Sequence, residues 1–299
     1  MVSYLSTKRR RDMGRQRWQF LAVFVTITLG VMLFAASYDA FLNLESSYNG
    51  TYARLGFADI TVTGADDTFP ATAASIDGVA TVEVRRTADV PFRIGTDVLH
   101  GRLVGMPPDQ QPEINAIDMT SGTYLSSDTP NGLVAEEHLA EYFALAPGDR
   151  IEVLAGTTWS EGPVVGTAIS SEYLWPAESR QNFFPPPGTF GVAFVSEDLL
   201  AAVPASAVAD QTVIRYAPDA DRDATDAAVE RAANAAGAAD VTTQADQPSN
   251  AGLKLDLQGF EEMAVMFPAL FLLAAGMATF IILTRVVYSQ RPQIGTLMA

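Results

Sequence analysis

The side chains that could act as nucleophiles, bases or metal ligands are few in this sequence, and they form no known catalytic pattern. Cysteine is absent, which excludes a thiol nucleophile and a thiolate metal site. The two histidines, His100 and His138, lie outside any G-x-S-x-G or H-E-x-x-H pattern, so we interpret each as a surface residue. Three adjacent acidic pairs are interpreted as solvated, because neighbours on a helix point to different faces: Asp66-Asp67, Glu136-Glu137 and Glu261-Glu262. The sequence therefore predicts no catalytic residue, no metal site and no cofactor.

A nucleotide site is not predicted either. Binding of ATP phosphates needs a glycine-rich loop with a lysine, of the form GxxxxGK[ST]. The sequence contains two lysines, Lys8 and Lys254, and neither follows such a loop. We therefore expect that the chain is not an enzyme and that any ATP hydrolysis linked to it occurs on a separate subunit.

Two uncharged apolar stretches, residues 18–38 and 264–284, form the strongest pattern in the sequence. Each would reach about 31 Å as an α-helix, because a helix rises 1.5 Å per residue, and this length crosses the hydrocarbon core of a bilayer. We predict transmembrane helices at 18–38 and 263–284. A cleaved signal peptide is the alternative for the first, since Ala35, Ala36 and Ser37 resemble a cleavage site, although signal cores are shorter.

Charge predicts the orientation of these helices. Six basic residues between Lys8 and Arg17 precede the first stretch, and Arg285 and Arg291 follow the second, which places both termini in the cytoplasm. The region between holds 34 of the 35 acidic residues and 11 of the 19 basic ones, a net charge near −23 that disfavours nucleic acid as a partner. We expect a multi-pass protein of the inner or plasma membrane, with the lipid bilayer as a partner and an acidic extracytoplasmic domain.

Between the helices, the hydropathy patterns predict an α+β domain of two lobes. A helical stalk over 39–57 leads to two strand-helix-strand units, at 58–86 and 211–250, which share one lobe. Residues 87–210 are inserted as a second, mostly β lobe. Within it, the helical period of residues 132–146 predicts one helix, ended by a turn at Pro147 and Gly148.

An aromatic, proline-rich loop interrupts this second lobe. It holds Trp175, Phe183 and Phe184, followed by three successive prolines. Exposed aromatic side chains on a stiff loop can form a docking surface for a partner outside the cytoplasm. The alternative is a loop folded over its own lobe, with these rings as a small satellite core.

Small side chains occur four residues apart in both predicted spans. Thr26 with Gly30, and Ala274 with Ala278, would let a neighbouring helix approach closely. We therefore expect the spans to pack against other transmembrane helices. Neither span contains an ionisable residue, which argues against a proton or ion path through these two helices.

Several motifs, taken in their order between two spans, carry a family resemblance. They are Gly122-Thr-Tyr-Leu125, the segment from Gly132 to Val153 (GLVAEEHLAEYFALAPGDRIEV), Val164-Val165-Gly166 and the closing segment from Leu283 to Leu297 (LTRVVYSQRPQIGTL). With these motifs the chain resembles ABC-transporter permeases that have a MacB-like extracytoplasmic core domain followed by an FtsX-like membrane domain. The resemblance covers essentially the whole length.

The resemblance implies a porter-like lobe made of the two strand-helix-strand units, and an ABC ATP-binding subunit as a partner. It also implies that the cytoplasmic segment 285–299 docks on that subunit. Further permease spans or a second permease copy are implied as partners, since the sequence ends where the family's membrane domain continues. Gln293 departs from the family, which often has Glu there. The residues implied in the docking contact are Gln290, Arg291, Gln293, Ile294, Gly295 and Thr296.

The sequence thus predicts a permease that couples ATP hydrolysis on a partner to substrate export or to motion of its outer domain. A two-span sensor with an extracytoplasmic ligand-binding domain is the alternative. A membrane-anchored hydrolase is a third class, disfavoured because no set of nucleophile, base and orienting residue is visible. The predicted segments are 1–17, 18–38, 39–262, 263–284 and 285–299.

Overall fold

The structure, a computed structural model, describes residues 17–298, without the side chains of residues 17, 19, 20, 286, 287 and 289–298. The basic segment 1–16 lies outside the described residues. The chain divides into two compact units. We call Tyr48–Leu255 the sheet domain, and the described residues up to Ser47 and from Asp256 onward the helix pair.

Six α-helices, two short 3-10 helices (Ser171–Tyr173 and Ala205–Ala207) and ten strands form the described part of the chain. The helices are α1 (Arg17–Leu55), α2 (Phe69–Ala74), α3 (Glu137–Phe143), α4 (Glu197–Leu200), α5 (Arg222–Ala235) and α6 (Pro248–Met298). The strands are β1 (Ile60–Thr63), β2 (Val79–Ile94), β3 (Asp97–Met106), β4 (Ile117–Gly122), β5 (Leu133–Glu136), β6 (Arg150–Ala155), β7 (Thr158–Ser170), β8 (Phe190–Ser196), β9 (Val208–Tyr216) and β10 (Asp240–Thr243).

The helix pair consists of the apolar stretches of α1 and α6. Among the described residues these are the two helices long and apolar enough to cross a membrane, over Leu21–Leu55 and Pro248–Arg285. The most apolar parts of these two helices are almost entirely exposed. This confirms the predicted class, a membrane protein of α+β type in which two candidate membrane helices flank a mixed sheet domain.

The two strand-helix-strand units share one antiparallel sheet, in the order β10-β1-β9-β2. Strand β9 lies between β1 and β2, and β1 lies between β9 and β10, so each unit is split by a strand of the other. Helices α2 and α5 cover one face of this sheet. Their shared core contains Ile60, Phe69, Ile214 and Val229, each at most 1% exposed.

The inserted region continues the same sheet and closes it into a barrel. The strands pair in the ring β2-β3-β8-β5-β7-β6, and β6 returns to β2 through Phe92 with Val153 and Arg93 with Glu152. β4 extends the sheet beyond β7. Because β2 runs through both lobes, the predicted boundary between residues 86 and 87 lies inside a strand. The lobe limits stay a prediction.

Gly101 lies in the barrel wall at a point where the core leaves no space for a side chain. Phe92 is fully buried there, in contact with a cluster that includes Leu103, Leu133 and Ile151. A Cβ atom on Gly101 would lie 2.2 Å from the Phe92 ring. No side chain larger than hydrogen fits there unless Phe92 moves.

The helix predicted over 132–146 is wrong in its first part. Leu133–Glu136 is strand β5, buried along its whole length between β7 and β8, and only Glu137–Phe143 is helical. A strand buried on both faces loses the alternation of apolar and polar residues, so its apolar run resembled one face of a helix. The helix ends before Pro147, because Ala144 adopts a left-handed conformation that caps it.

Candidate functional site

The helix pair exposes a large apolar surface. Phe24 on α1 and Phe280 on α6 are 67% and 70% exposed, and most of the other large apolar side chains of both stretches are exposed as well. Such a continuous apolar surface is stable in a bilayer and not in water. The chain is therefore a membrane protein, and the helix pair is the candidate site at which it meets other membrane components.

The predicted packing residues of α1 lie where the two helices meet. Gly30 is buried, and a Cβ atom there would lie 3.5 Å from the side chain of Leu272 on α6. Thr26 is half-buried, and its hydroxyl donates to the carbonyl oxygen of Ala22 at 2.9 Å. Close approach at Gly30 follows from its missing side chain.

The predicted packing residues of α6 have a different environment. Ala274 and Ala278 are exposed, whereas Ala275 beside them is 2% exposed. The four-residue spacing therefore marked a face of α6 that α1 leaves open. That further spans pack against Ala274 and Ala278 stays a prediction.

The end of α1 is fixed within the sheet domain. Leu55 and Phe57 are 4% and 5% exposed, and Gly56 between them adopts a left-handed conformation with φ +64°. The Asn115 backbone N–H donates to the Gly56 carbonyl oxygen at 3.0 Å. The side-chain oxygen of Asn115 accepts from the Ala58 N–H at 2.8 Å. One loop around Asn115 thus holds both sides of the helix end.

The beginning of α6 is fixed within the same domain by polar contacts. The Ser249 hydroxyl, fully buried, accepts from the Trp175 N–H at 2.8 Å. The side-chain amide of Gln247 donates to the backbone carbonyl of Glu172 at 2.8 Å. The side-chain amide of Asn250 donates to the backbone carbonyl of Gln244 at 2.6 Å. The turn at residues 171–175 therefore holds the first residues of α6.

The predicted docking loop takes part in this attachment. The Trp175 indole N–H donates to the Phe183 carbonyl at 2.7 Å, and its ring meets that of Phe184 edge-to-face at 5.3 Å. A Cβ on Gly252 of α6 would lie 3.0 Å from the Trp175 ring. Phe184 itself is 61% exposed. The loop thus packs on its own domain while still presenting one aromatic ring to solvent.

The predicted ATPase-docking residues lie near the end of α6. The backbone of Gln290, Arg291, Gln293, Ile294, Gly295 and Thr296 belongs to this helix, and their side chains lie outside the described residues. Their contact with a partner stays a prediction.

The two histidines are each paired with a glutamate. His100 Nδ1 lies 2.7 Å from Glu178, and His138 Nδ1 lies 2.9 Å from Glu136. Both histidine side chains are 42% exposed, in line with the surface interpretation. Within residues 17–298, no group of three His, Cys, Asp or Glu residues is close enough to hold a metal ion.

The interpretation of all paired carboxylates as solvated is wrong for Glu136. Glu136 is 3% exposed, and its carboxylate accepts the His138 N–H at 2.9 Å as the cap of α3. Burial raises its pKa despite these contacts. Glu137 beside it accepts from the Thr120 hydroxyl at 2.5 Å. Glu261 and Glu262 are exposed as expected.

Sequence patterns did not predict the most buried ion pair of the sheet domain. Arg85 on β2 and Glu172 in the turn that holds α6 are 87 positions apart. This ion pair can be recognised only from the fold, which brings β2 and the turn together. The signal that could have been used is weaker: Glu172 stands directly before Tyr173 and three positions before Trp175.

No protein-family model and no curated protein matches the chain. The solved structures that are similar to it include two domains of transporters. One is the extracellular domain of the noncanonic ABC-type transporter YknZ from Gram-positive bacteria, at 12% identity and a TM-score of 0.38, covering 58% of this chain and 83% of that one. The other is the periplasmic region of MacB from Actinobacillus actinomycetemcomitans, at 9% identity and a TM-score of 0.40, covering 67% of this chain and 92% of that one. The MacB-like resemblance found in the sequence names the same kind of domain.

Proposed function

We propose that the chain is the permease subunit of an ABC transporter, which couples ATP hydrolysis on a partner subunit to substrate export or to mechanical motion of its extracytoplasmic sheet domain. The observation that carries this proposal is the continuity of α1 and α6. Each helix combines an apolar, exposed stretch with buried residues that belong to the sheet domain. The motifs at residues 122–166 and 283–297 favour a permease over other two-span proteins.

Continuous helices give the coupling a physical route. Rigid secondary elements can carry a displacement between distant sites, provided that both ends are held. In the sheet domain, Leu55 and Ser249 are buried at the ends of α1 and α6. A displacement of the cytoplasmic end of α6 would therefore act on the turn at residues 171–175 and, through it, on strand β2.

The ATP-binding partner is proposed to grip segment 285–299. The contact residues are those of the FtsX-like motif, with Ile294 and Gly295 at its centre. Gln293 supplies an amide where an ion pair is often formed in the family, so we expect hydrogen bonding rather than charge pairing at that point. Lipid, further spans against Ala274 and Ala278, and a substrate or partner outside the cytoplasm complete the proposed assembly.

Copurification tests the ATPase partnership. The tagged chain is purified from its native membrane in mild detergent, and copurifying proteins are searched for a subunit with the GxxxxGK[ST] loop. Ile294→Asp and Gly295→Asp should remove that subunit and the ATP hydrolysis that accompanies it. Ser6→Asp, in the basic segment before the first span and outside segment 285–299, is the matched control and should retain both. Equal recovery of the subunit with all three variants would contradict the assigned contact, and a native complex without any such subunit would favour the two-span sensor.

Orientation is tested by cysteine labelling, which is clean because the chain has no cysteine. Ser6→Cys precedes the first span, and Asp219→Cys lies on an exposed loop of the sheet domain. In intact cells, a membrane-impermeant maleimide should label the second variant and should reach the first only after lysis. Labelling of Ser6→Cys in intact cells would place the N-terminus outside and refute the proposed orientation.

A further inference from the structure

One half of β2 has a free edge. Strand β9 pairs with β2 from Val79 to Ala88 on one side, but β3 pairs with it on the other side only from Thr87 to Ile94. No strand of the described chain covers residues 81–86 on that second side. Unpaired strand edges template the addition of another strand, and proteins usually protect them.

The backbone groups at this edge are available at two positions. The Arg86 N–H points to the free side, because it donates to the Glu197 carboxylate at 3.3 Å. Hydrogen-bonding groups alternate between the two sides of a strand, so the N–H and C=O of Val82 and Val84 point to the same side as those of Arg86. Val84 is 59% exposed. Glu197 therefore closes one end of the edge and leaves the next two positions open.

A cleft of about 840 Å³ lies along this edge. Its opposite wall is the loop at residues 107–114, which contributes Pro107, Pro108 and Pro112. The Glu83 carboxylate fixes this loop by accepting the backbone N–H groups of Glu113 and Ile114 at 2.9 and 3.2 Å. The loop therefore stays apart from the edge and forms a stiff apolar wall beside it. In most proteins such a free strand edge is covered.

The charge of the cleft indicates the chemistry of its occupant. The two arginines that line it are already paired, Arg85 with Glu172 and Arg86 with Glu197. Glu113 and Asp210 line the cleft, are exposed, and form no ion pair within the described part of the chain. The cleft therefore presents uncompensated negative charge to a ligand.

We propose that this edge binds an extended, basic peptide segment of a partner protein as an added β-strand. Main-chain hydrogen bonds to Val82 and Val84 would align the peptide, in the manner of strand addition at a sheet edge. Alternate side chains would face the proline wall, and basic side chains would meet Glu113 and Asp210. The proposal concerns the sheet domain alone and holds whether or not the chain is a permease.

Peptide binding to the full chain in lipid nanodiscs tests the proposal. The probe is a fluorescein-labelled peptide of alternating lysine and valine, seven residues long. One control carries N-methyl groups on every residue, which removes the backbone donors on both sides of the peptide, and another replaces lysine by glutamate. The unmodified peptide should bind. The N-methylated control should bind about tenfold more weakly, since the loss of one backbone hydrogen bond costs up to about that factor. The glutamate control should also bind more weakly, because its charge repels that of the cleft.

Variants locate the binding at the edge. Val84→Pro removes the N–H that faces the cleft without removing a ladder bond to β9, and it should weaken binding about tenfold. Glu113→Lys with Asp210→Lys should weaken binding of the lysine peptide and remove its salt dependence. Asp97→Lys, exposed at the start of β3 and not part of the cleft, should not. If Val84→Pro disturbs the fold, hydrogen exchange of the unmodified chain decides, because the peptide must slow exchange of the Val82 and Val84 amides. Unchanged exchange there, equal binding of the N-methylated peptide, or no binding of the lysine peptide would each overturn the proposal.

Discussion

Arg85 and Glu172 form a bidentate ion pair, with nitrogen–oxygen distances of 2.6 and 2.5 Å, between strand β2 and the turn that holds the first residues of α6. Both side chains are buried, with 11% and 7% of their surface exposed. Gln211 on β9 adds a second acceptor for Arg85 at 3.0 Å. The pair therefore connects the centre of the sheet with the start of a candidate membrane helix.

Glu172→Gln should lower the free energy of unfolding by about 3–5 kcal/mol, because it leaves the buried Arg85 charge without its counter-ion. Thermal unfolding of the full chain in detergent measures this loss. Hydrogen exchange should also become faster at Ser249 and the residues that follow it. Glu161→Gln, in the exposed pair with Arg150, is the control and should have little effect. Equal losses in the two variants would show that the Arg85–Glu172 pair has no special role.

Gly101→Ala should destabilise the barrel by about 1–3 kcal/mol, since the new methyl group collides with the Phe92 ring in a closed core. Adding Phe92→Leu should recover part of the loss by making room. Gly50→Ala is the opposite control, because Gly50 lies in α1 with nothing within 4 Å of a new Cβ. There alanine should stabilise the helix by about 0.5–1 kcal/mol. A loss at Gly101 that Phe92→Leu does not reduce would contradict the collision.

The pair of Glu136 and His138 should make stability depend on pH. Burial acts to lower the pKa of His138, but the hydrogen bond and charge of Glu136, with the charges of Glu141 and Glu137, raise it overall. A raised pKa in the folded state contributes stability below the ordinary histidine value of about 6.5, and this contribution is lost as pH rises through the folded-state pKa.

His138→Gln isolates this effect from the other acidic groups. The difference in unfolding temperature between the wild type and this variant should be largest near pH 5.5 and should shrink toward about pH 8. Because the surrounding carboxylates titrate in both proteins, the difference reports on the histidine. A difference that stays constant, or that grows with pH, would refute the assigned sign.

Salt should stabilise the sheet domain. Of the 11 basic residues within Tyr48–Leu255, seven form ion pairs with acidic residues: Arg54, Arg85, Arg86, Arg93, Arg102, Arg150 and Arg222. The many remaining acidic side chains repel one another, and screening weakens that repulsion. Raising potassium chloride should raise the unfolding temperature, by about 2–4 °C for each kcal/mol gained. Replacing Asp66 and Asp67 by Asn should reduce this slope, and a slope of opposite sign would contradict the argument.

The parts of this fold that sequence could predict are those set by local patterns. Uncharged apolar stretches located the membrane segments of α1 and α6, and period-two alternation at residues 59–63 located β1. Barrel closure could not be predicted, because β6 meets β2 through two residue pairs that are far apart in sequence. Glu136 was misjudged for a related reason, since an acidic pair reads as solvated until the strand before it is known to be buried.

The same limit applies to the candidate site. Trp175 was singled out as an aromatic residue on a proline-rich loop, but its partner Ser249 is 74 positions away. Composition identified a residue that can pack on a surface, and only the fold showed that the surface is the start of α6. The small residues of the spans show the same limit. Their spacing predicts packing faces, but it does not predict which helix each face contacts.

Gly30→Leu should separate α1 from α6. A Cβ at this position would lie in ordinary van der Waals contact with Leu272, at 3.5 Å, so alanine fits and a branched side chain does not. Spin labels on cysteines introduced at Asp39 and Glu261, both exposed positions of the helix pair, report the separation. The distance distribution should widen and shift outward in Gly30→Leu and should be unchanged in Gly30→Ala.

Ala274→Leu is the informative partner of that experiment, because Ala274 is exposed on the face of α6 that α1 does not cover. In the isolated chain, this substitution should leave the distance between the labels unchanged. In the native complex it should weaken association with further spans, since a leucine keeps a neighbouring helix from close approach. If Ala274→Leu instead moved the labels apart in the isolated chain, the packing face of α6 would be the one with the four-residue spacing, and the contact between Gly30 and Leu272 would be wrong.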